Sequence, residues 1–91
     1  MDPEDLKSRA DPDGLPPLLA ALWWDAQDDW DRAHEFAQTV ETPQGAWVHA
    51  YLHRKEGDMG NAEYWYRKAG RRPPLASLDQ EWAEIVATLS P

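Results

Sequence analysis

His49 and His53 stand four residues apart in the segment Gly45-Ala46-Trp47-Val48-His49-Ala50-Tyr51-Leu52-His53-Arg54. On a helix that spacing stacks both imidazoles on one face, where two ring nitrogens can reach one metal ion. His34 is the third histidine of the chain, and it becomes a further ligand if its own helix packs against theirs. The metalloprotease glutamate is missing, because Ala50 follows His49. With no cysteine, thiolate metal sites and thiol chemistry are excluded. There is no glycine-rich phosphate loop and no serine in a nucleophile elbow. Asp25, Asp28, Asp29 and Asp31 form an acidic turn without the central glycine and alternating ligands of a calcium loop, and they read as helix caps and a solvated face. Glu56, Asp58 and Glu63 carry turn and surface roles. The plainest reading of the histidines is structural, with no metal and no cofactor. The reading with chemistry in it is a small-ligand or metal pocket, open to an enzymatic use, around His34, Trp47, His49 and His53.

The elements that position these groups must come from a short chain. Ninety-one residues suffice for one small domain. Six tryptophans, Trp23, Trp24, Trp30, Trp47, Trp65 and Trp82, must supply much of a thin core. Trp24 falls off the apolar stripe of its helix, which makes it a candidate for partner contact. No apolar run approaches the ~20 residues that span a bilayer. The acidic start, Met1-Asp2-Pro3-Glu4-Asp5, lacks the layout of a signal peptide, so the expected location is cytoplasmic. The formal charge of −8 is uneven: residues 1–35 hold ten acids and three bases, residues 54–72 six bases and three acids. So acidic a chain is a poor nucleic-acid binder. The basic stretch can meet a small anion or an acidic peptide, although Arg67, Lys68, Arg71 and Arg72 also complement the negative pole of a helix end.

Periodicity predicts helices throughout, and an all-α fold. Residues 1–14 read as an N-terminal arm open to flexibility, with a short helix capped by Asp2 and begun by Pro3, then a turn at Asp11-Pro12-Asp13-Gly14. A single domain is expected over residues 15–91. Leu15, Leu18, Leu19, Leu22, Trp23 and Ala26 mark its first helix, ending near Gln27. Asp28-Asp29 cap the second, with Trp30, Ala33, Ala37 and Val40 as its stripe. Thr42-Pro43 starts a third that runs to Glu56, closed by a left-handed Gly57. Asp58 caps the fourth, with Ala62, Trp65, Tyr66 and Ala69, stopped by Gly70 and Pro73-Pro74. Ser77 and Gln80 form a capping box for the fifth, with Leu78, Trp82, Ile85, Val86 and Leu89. Short connections imply two antiparallel helix hairpins and a closing C-terminal helix.

Ala50, Gly57-Asp58, Ala62, Tyr66, Ala69 and Pro73 together resemble a tetratricopeptide repeat, and Tyr64-Trp65-Tyr66-Arg67-Lys68-Ala69-Gly70 resembles the second helix of a Sel1-like repeat. The string from Ala46 to Asp58 also resembles a family of small bacterial proteins that brings no activity with it. The tetratricopeptide resemblance covers residues 46–73 well and 18–43 poorly. It implies an α-α superhelix whose concave face binds a peptide. Carried onto this chain, that face shows Trp47, Tyr51, Arg54 and Lys55, with Leu18, Leu22 and Asp25 as counterparts. In that register His49 and His53 fall where the family places large apolar residues between paired helices. Two repeats being few, the fifth helix is expected to act as a cap, or the chain to form a homodimer. The expected function is non-enzymatic capture of a protein or peptide, an acidic one in particular, through Trp47, Tyr51, Arg54, Lys55 and Trp24, without nucleic acid or membrane. The alternative is the ligand pocket at His34, His49 and His53.

Overall fold

The computed structural model describes residues 1–90; Pro91, the last residue of the expected 15–91 domain, lies outside it. The described residues are all-helical, without strands. The elements are α1 (Pro3–Ser8), α2 (Pro17–Ala26), α3 (Trp30–Gln38), α4 (Pro43–Glu56), α5 (Met59–Ala69) and α6 (Leu78–Leu89). Among the described residues, no helix is long and apolar enough to cross a membrane.

Local chemistry sets nearly every boundary. Asp2, Asp29, Thr42, Asp58 and Ser77 each accept a backbone N–H from the first turn of the helix they cap. Both capping boxes are closed reciprocally, Asp2 with Asp5 and Ser77 with Gln80. Gly57 and Gly70 end α4 and α5 in the left-handed region, which costs a glycine little. Asp28 takes a left-handed conformation too, at φ 62°, as the chain turns from α2 into α3. Gly45 is required for a different reason: a Cβ there would lie 1.9 Å from the Val40 carbonyl oxygen. The turn from α3 into α4 is therefore closed backbone against helix.

Helix α2 packs chiefly on α3, and α4 on α5, while α3 lies against α4 and joins the two pairs. Helix α6 packs across α2 and α4. The core runs through Leu22, Ala33, Val48, Ala50, Leu52, Ala62, Ile85 and Val86, all fully buried. The arm of residues 1–14 is docked: Leu6 is 0% exposed, α1 packs on α6 and α2, and the Trp23 indole N–H donates to the Arg9 carbonyl at 3.1 Å. Leu6→Ala is expected to lower unfolding stability by about 2–3 kcal/mol. Urea titration measures that loss, and protease cleavage between residues 9 and 14 should accelerate with it. An unchanged midpoint would mean that the arm adds nothing to the fold.

Two buried carboxylates tie α4 to its neighbours. Glu81, 1% exposed, accepts from the Trp47 indole N–H (3.1 Å), the Tyr66 hydroxyl (2.6 Å) and the Arg54 guanidinium (2.8 Å). Asp25, 2% exposed, accepts from the Tyr51 hydroxyl (2.7 Å) and the Lys55 ammonium (2.8 Å). Burial, followed by the adjacent carboxylate, pushes both phenols above their ordinary range, so they remain protonated donors. Asp25 thus departs from the solvated role expected of the acidic turn. Its charge is neutralised inside the fold by Lys55.

Candidate functional site

Helical rotation of about 100° per residue divides α4 into two working faces. Trp47, Tyr51 and Arg54 point toward α2 and α6, and His49 and His53 toward α3 and α5. The face expected to be an open peptide-binding surface is closed. Trp47 and Tyr51 are each 3% exposed, and Leu18, Leu22 and Asp25 are buried as well. Arg54 is committed to Glu81 and to the Ala76 carbonyl, and Lys55 to Asp25. Arg71 covers the Trp47 ring from outside, 3.4 Å from its centroid. Trp24 is partly covered by Arg32, at 4.6 Å, and meets Trp23 edge-on. Its indole N–H is shut off from solvent and has no hydrogen-bond partner among the described residues.

The opposite face of α4 gathers all three histidines. Their rings contribute one nitrogen each to a group whose members lie within 4.8 Å of one another. The Nε2 atoms of His34 and His49 are 2.8 Å apart, a contact that needs one nitrogen protonated and the other bare. His49 and His53 stack at 4.9 Å between centroids, as their spacing predicts. Two tryptophans wall the cluster. Trp30 stacks on His34 (4.8 Å) and donates its N–H to the Leu52 carbonyl (2.8 Å), and Trp65 stacks on His49 (3.9 Å). Trp47, expected in this pocket, is turned away to Glu81, and Trp30 and Trp65 take its place. From sequence both are core positions only, because aromatics on a helical stripe give no sign of which ring they will meet.

Charge completes the picture. His49, 6% exposed, is held down at about 4 by burial, then by His34 and His53. His34 is also lowered, by burial first and His53 second, with Glu56, Asp31 and Glu35 pulling weakly the other way. Both imidazoles are therefore neutral at pH 7, with lone pairs free of protonation. His53 has a partner of its own: its Nδ1 lies 2.6 Å from Glu56 Oε2. Glu56 is the carboxylate at the last position of α4, assigned a surface role from sequence. Asp58 lies near the same two groups, but both its oxygens are engaged by Asn61, in capping α5.

Beside the cluster lies an open cavity of ≈ 640 Å³ between the end of α3, the start of α4 and α5. His49 and Trp65 belong to both cavity and cluster, and Gln38, Glu41 and Lys68 reach the cavity from its rim. Comparison with family models, with curated proteins and with solved structures finds no match for this chain.

Proposed function

We propose that this protein binds a divalent transition-metal ion of the zinc type through His34, His49 and His53. The observation that carries the reading is the convergence of three imidazoles from two helices, two of them held neutral, around one point. Nitrogen donors of this kind suit zinc, copper, nickel and cobalt, whereas calcium and magnesium require oxygen ligands. A tetrahedral ion with metal–nitrogen bonds of about 2.0–2.1 Å holds its nitrogens about 3.3 Å apart. The His34–His49 contact of 2.8 Å would then open by roughly half an ångström, with the proton between the rings moving to Nδ1 of the ring that donates it so that both Nε2 lone pairs face the ion. Glu56, on Nδ1 of His53, supplies the carboxylate partner that fixes a ligand's tautomer and raises its basicity. Three protein ligands leave a fourth position vacant, the arrangement of metal sites that act on a small molecule.

The earlier expectation of peptide capture needs Trp47 and Tyr51 accessible, and both are covered. The metal site therefore takes precedence over it. Titration of metal-free protein with Zn2+, followed by calorimetry and by the rise in melting temperature, tests the reading. One equivalent should bind. His49→Ala should abolish the tight phase, and Glu56→Gln should weaken it by about 10–100-fold. Equal Zn2+ binding by wild type and His49→Ala would overturn it.

A further inference from the structure

Three imidazole nitrogens as the only protein ligands leave the double charge of a bound ion uncompensated by any directly ligating carboxylate. Glu56 answers part of that charge from behind His53. The remainder attracts an anion to the vacant position. His49 forms part of the wall of the ≈ 640 Å³ cavity, and that volume is in the range of small-molecule pockets. On the α5 side the cavity is lined by Lys68, one turn beyond Trp65. The Lys68 ammonium lies 5.9 Å from the Trp65 ring centroid and 5.4 Å from that of Tyr64, and no carboxylate of the described residues pairs with it. Gln38 adds an amide at the same cavity. Glu41 opposes an anion there; it and Lys68 are both exposed rim residues, screened alike by solvent, so the charge of the ion tips the balance between them toward an anion.

We infer that the cavity beside the histidine cluster receives a small carboxylate, which completes the coordination of the ion while Lys68 supplies the second positive charge. The inference rests on the metal reading above and names the ligand class of that same site. Two positive centres, one of them an ion with a vacant position, favour a compact anion over a neutral or cationic molecule.

Cobalt separates the two propositions, because Co2+ in a nitrogen site has visible ligand-field bands that report on its fourth ligand. The Co2+-loaded protein is titrated with acetate and with benzoate, with propionamide as the neutral control and ethylamine as the cationic one. Saturable band shifts with the two carboxylates and none with the controls are expected. Lys68→Met should weaken the carboxylate response about tenfold while leaving Co2+ binding unchanged. Glu41→Gln should leave the response intact or strengthen it. Bands that ignore carboxylates, or respond equally in Lys68→Met, would overturn this inference and leave the metal site standing. Bands that respond to ethylamine alone would overturn it in favour of a cationic ligand. Failure of Co2+ to give bands would overturn the metal reading, and this inference with it.

Discussion

Glu81→Ala is expected to remove about 3–5 kcal/mol of folding stability, the largest loss from any single substitution considered for this chain. The reason is what remains behind. Glu81 is the common acceptor for an indole N–H, a phenol and a guanidinium, all within 3.1 Å. Truncation leaves Arg54 as a largely buried, unpaired cation and leaves Trp47 and Tyr66 as unsatisfied donors. A domain of this size has about 5–15 kcal/mol in total. Each kilocalorie is worth about 4–8 °C, so the melting temperature should fall by roughly 20 °C. The pair Arg54→Met with Glu81→Leu should recover much of the loss, because no uncompensated charge is left. Urea unfolding of Arg54→Met, of Glu81→Leu and of the double variant closes the cycle. A loss below about 1 kcal/mol in Glu81→Ala would mean that the network is a surface-like pair of little weight.

Acid should unfold the metal-free protein over a window set by His49. Its folded pKa is depressed to about 4, from 6.5 when unfolded. Between those values the unfolded chain binds the extra proton, so stability rises with pH. The contribution is fully present above about 6.5 and disappears as pH falls toward about 4. At about 1.4 kcal/mol for each pH unit, the difference is on the order of 3 kcal/mol. His34 and His53 face the ring from α3 and from the next turn of α4. No carboxylate contributes to holding His49, so nothing offsets the cost of charging it. Carboxylates elsewhere also titrate in this range. The measurement is therefore the difference between wild type and His49→Gln, in urea with a chelator, at pH 7, 5.5 and 4.5. The wild type should lose more stability than the variant as pH falls. Parallel pH profiles would show that His49 is not buried against protonation.

The two results concern opposite faces of α4, and the faces differ in how far the sequence discloses them. The extent of α4 follows from Thr42-Pro43 at one end and Gly57 at the other, because capping and left-handed glycine are local chemistry. The same holds for Asp29, Asp58, the Ser77–Gln80 box and the short helix begun by Asp2-Pro3. The stacking of His49 on His53 is legible from a four-residue step. The arrival of His34 depends on how α3 crosses α4, which no spacing encodes. Asp25 and Glu81 are invisible for another reason. A carboxylate in an acidic chain reads as solvated, and only the fold brings Lys55 and Tyr51 to one and Arg54, Trp47 and Tyr66 to the other. The resemblance to paired-helix repeats led to Trp47 and Tyr51 as an open face, and α6 packs against α4 where that face would open.

Helix α4 behaves as a beam clamped along one edge. Trp47, Tyr51, Arg54 and Lys55 fasten that edge to Glu81 and Asp25 over two turns, and Gly45 seats its first turn against Val40. A side-chain tip lies about 5–6 Å from a helix axis, so a rotation of only 10° or so carries it through about 1 Å. Metal–ligand distances tolerate about 0.2 Å. The ion pairs on one edge therefore act as a torsional stop for the imidazoles on the other. No histidine takes part in the hydrogen bonds of the clamp, so exchanging one leaves every bond of that edge in place.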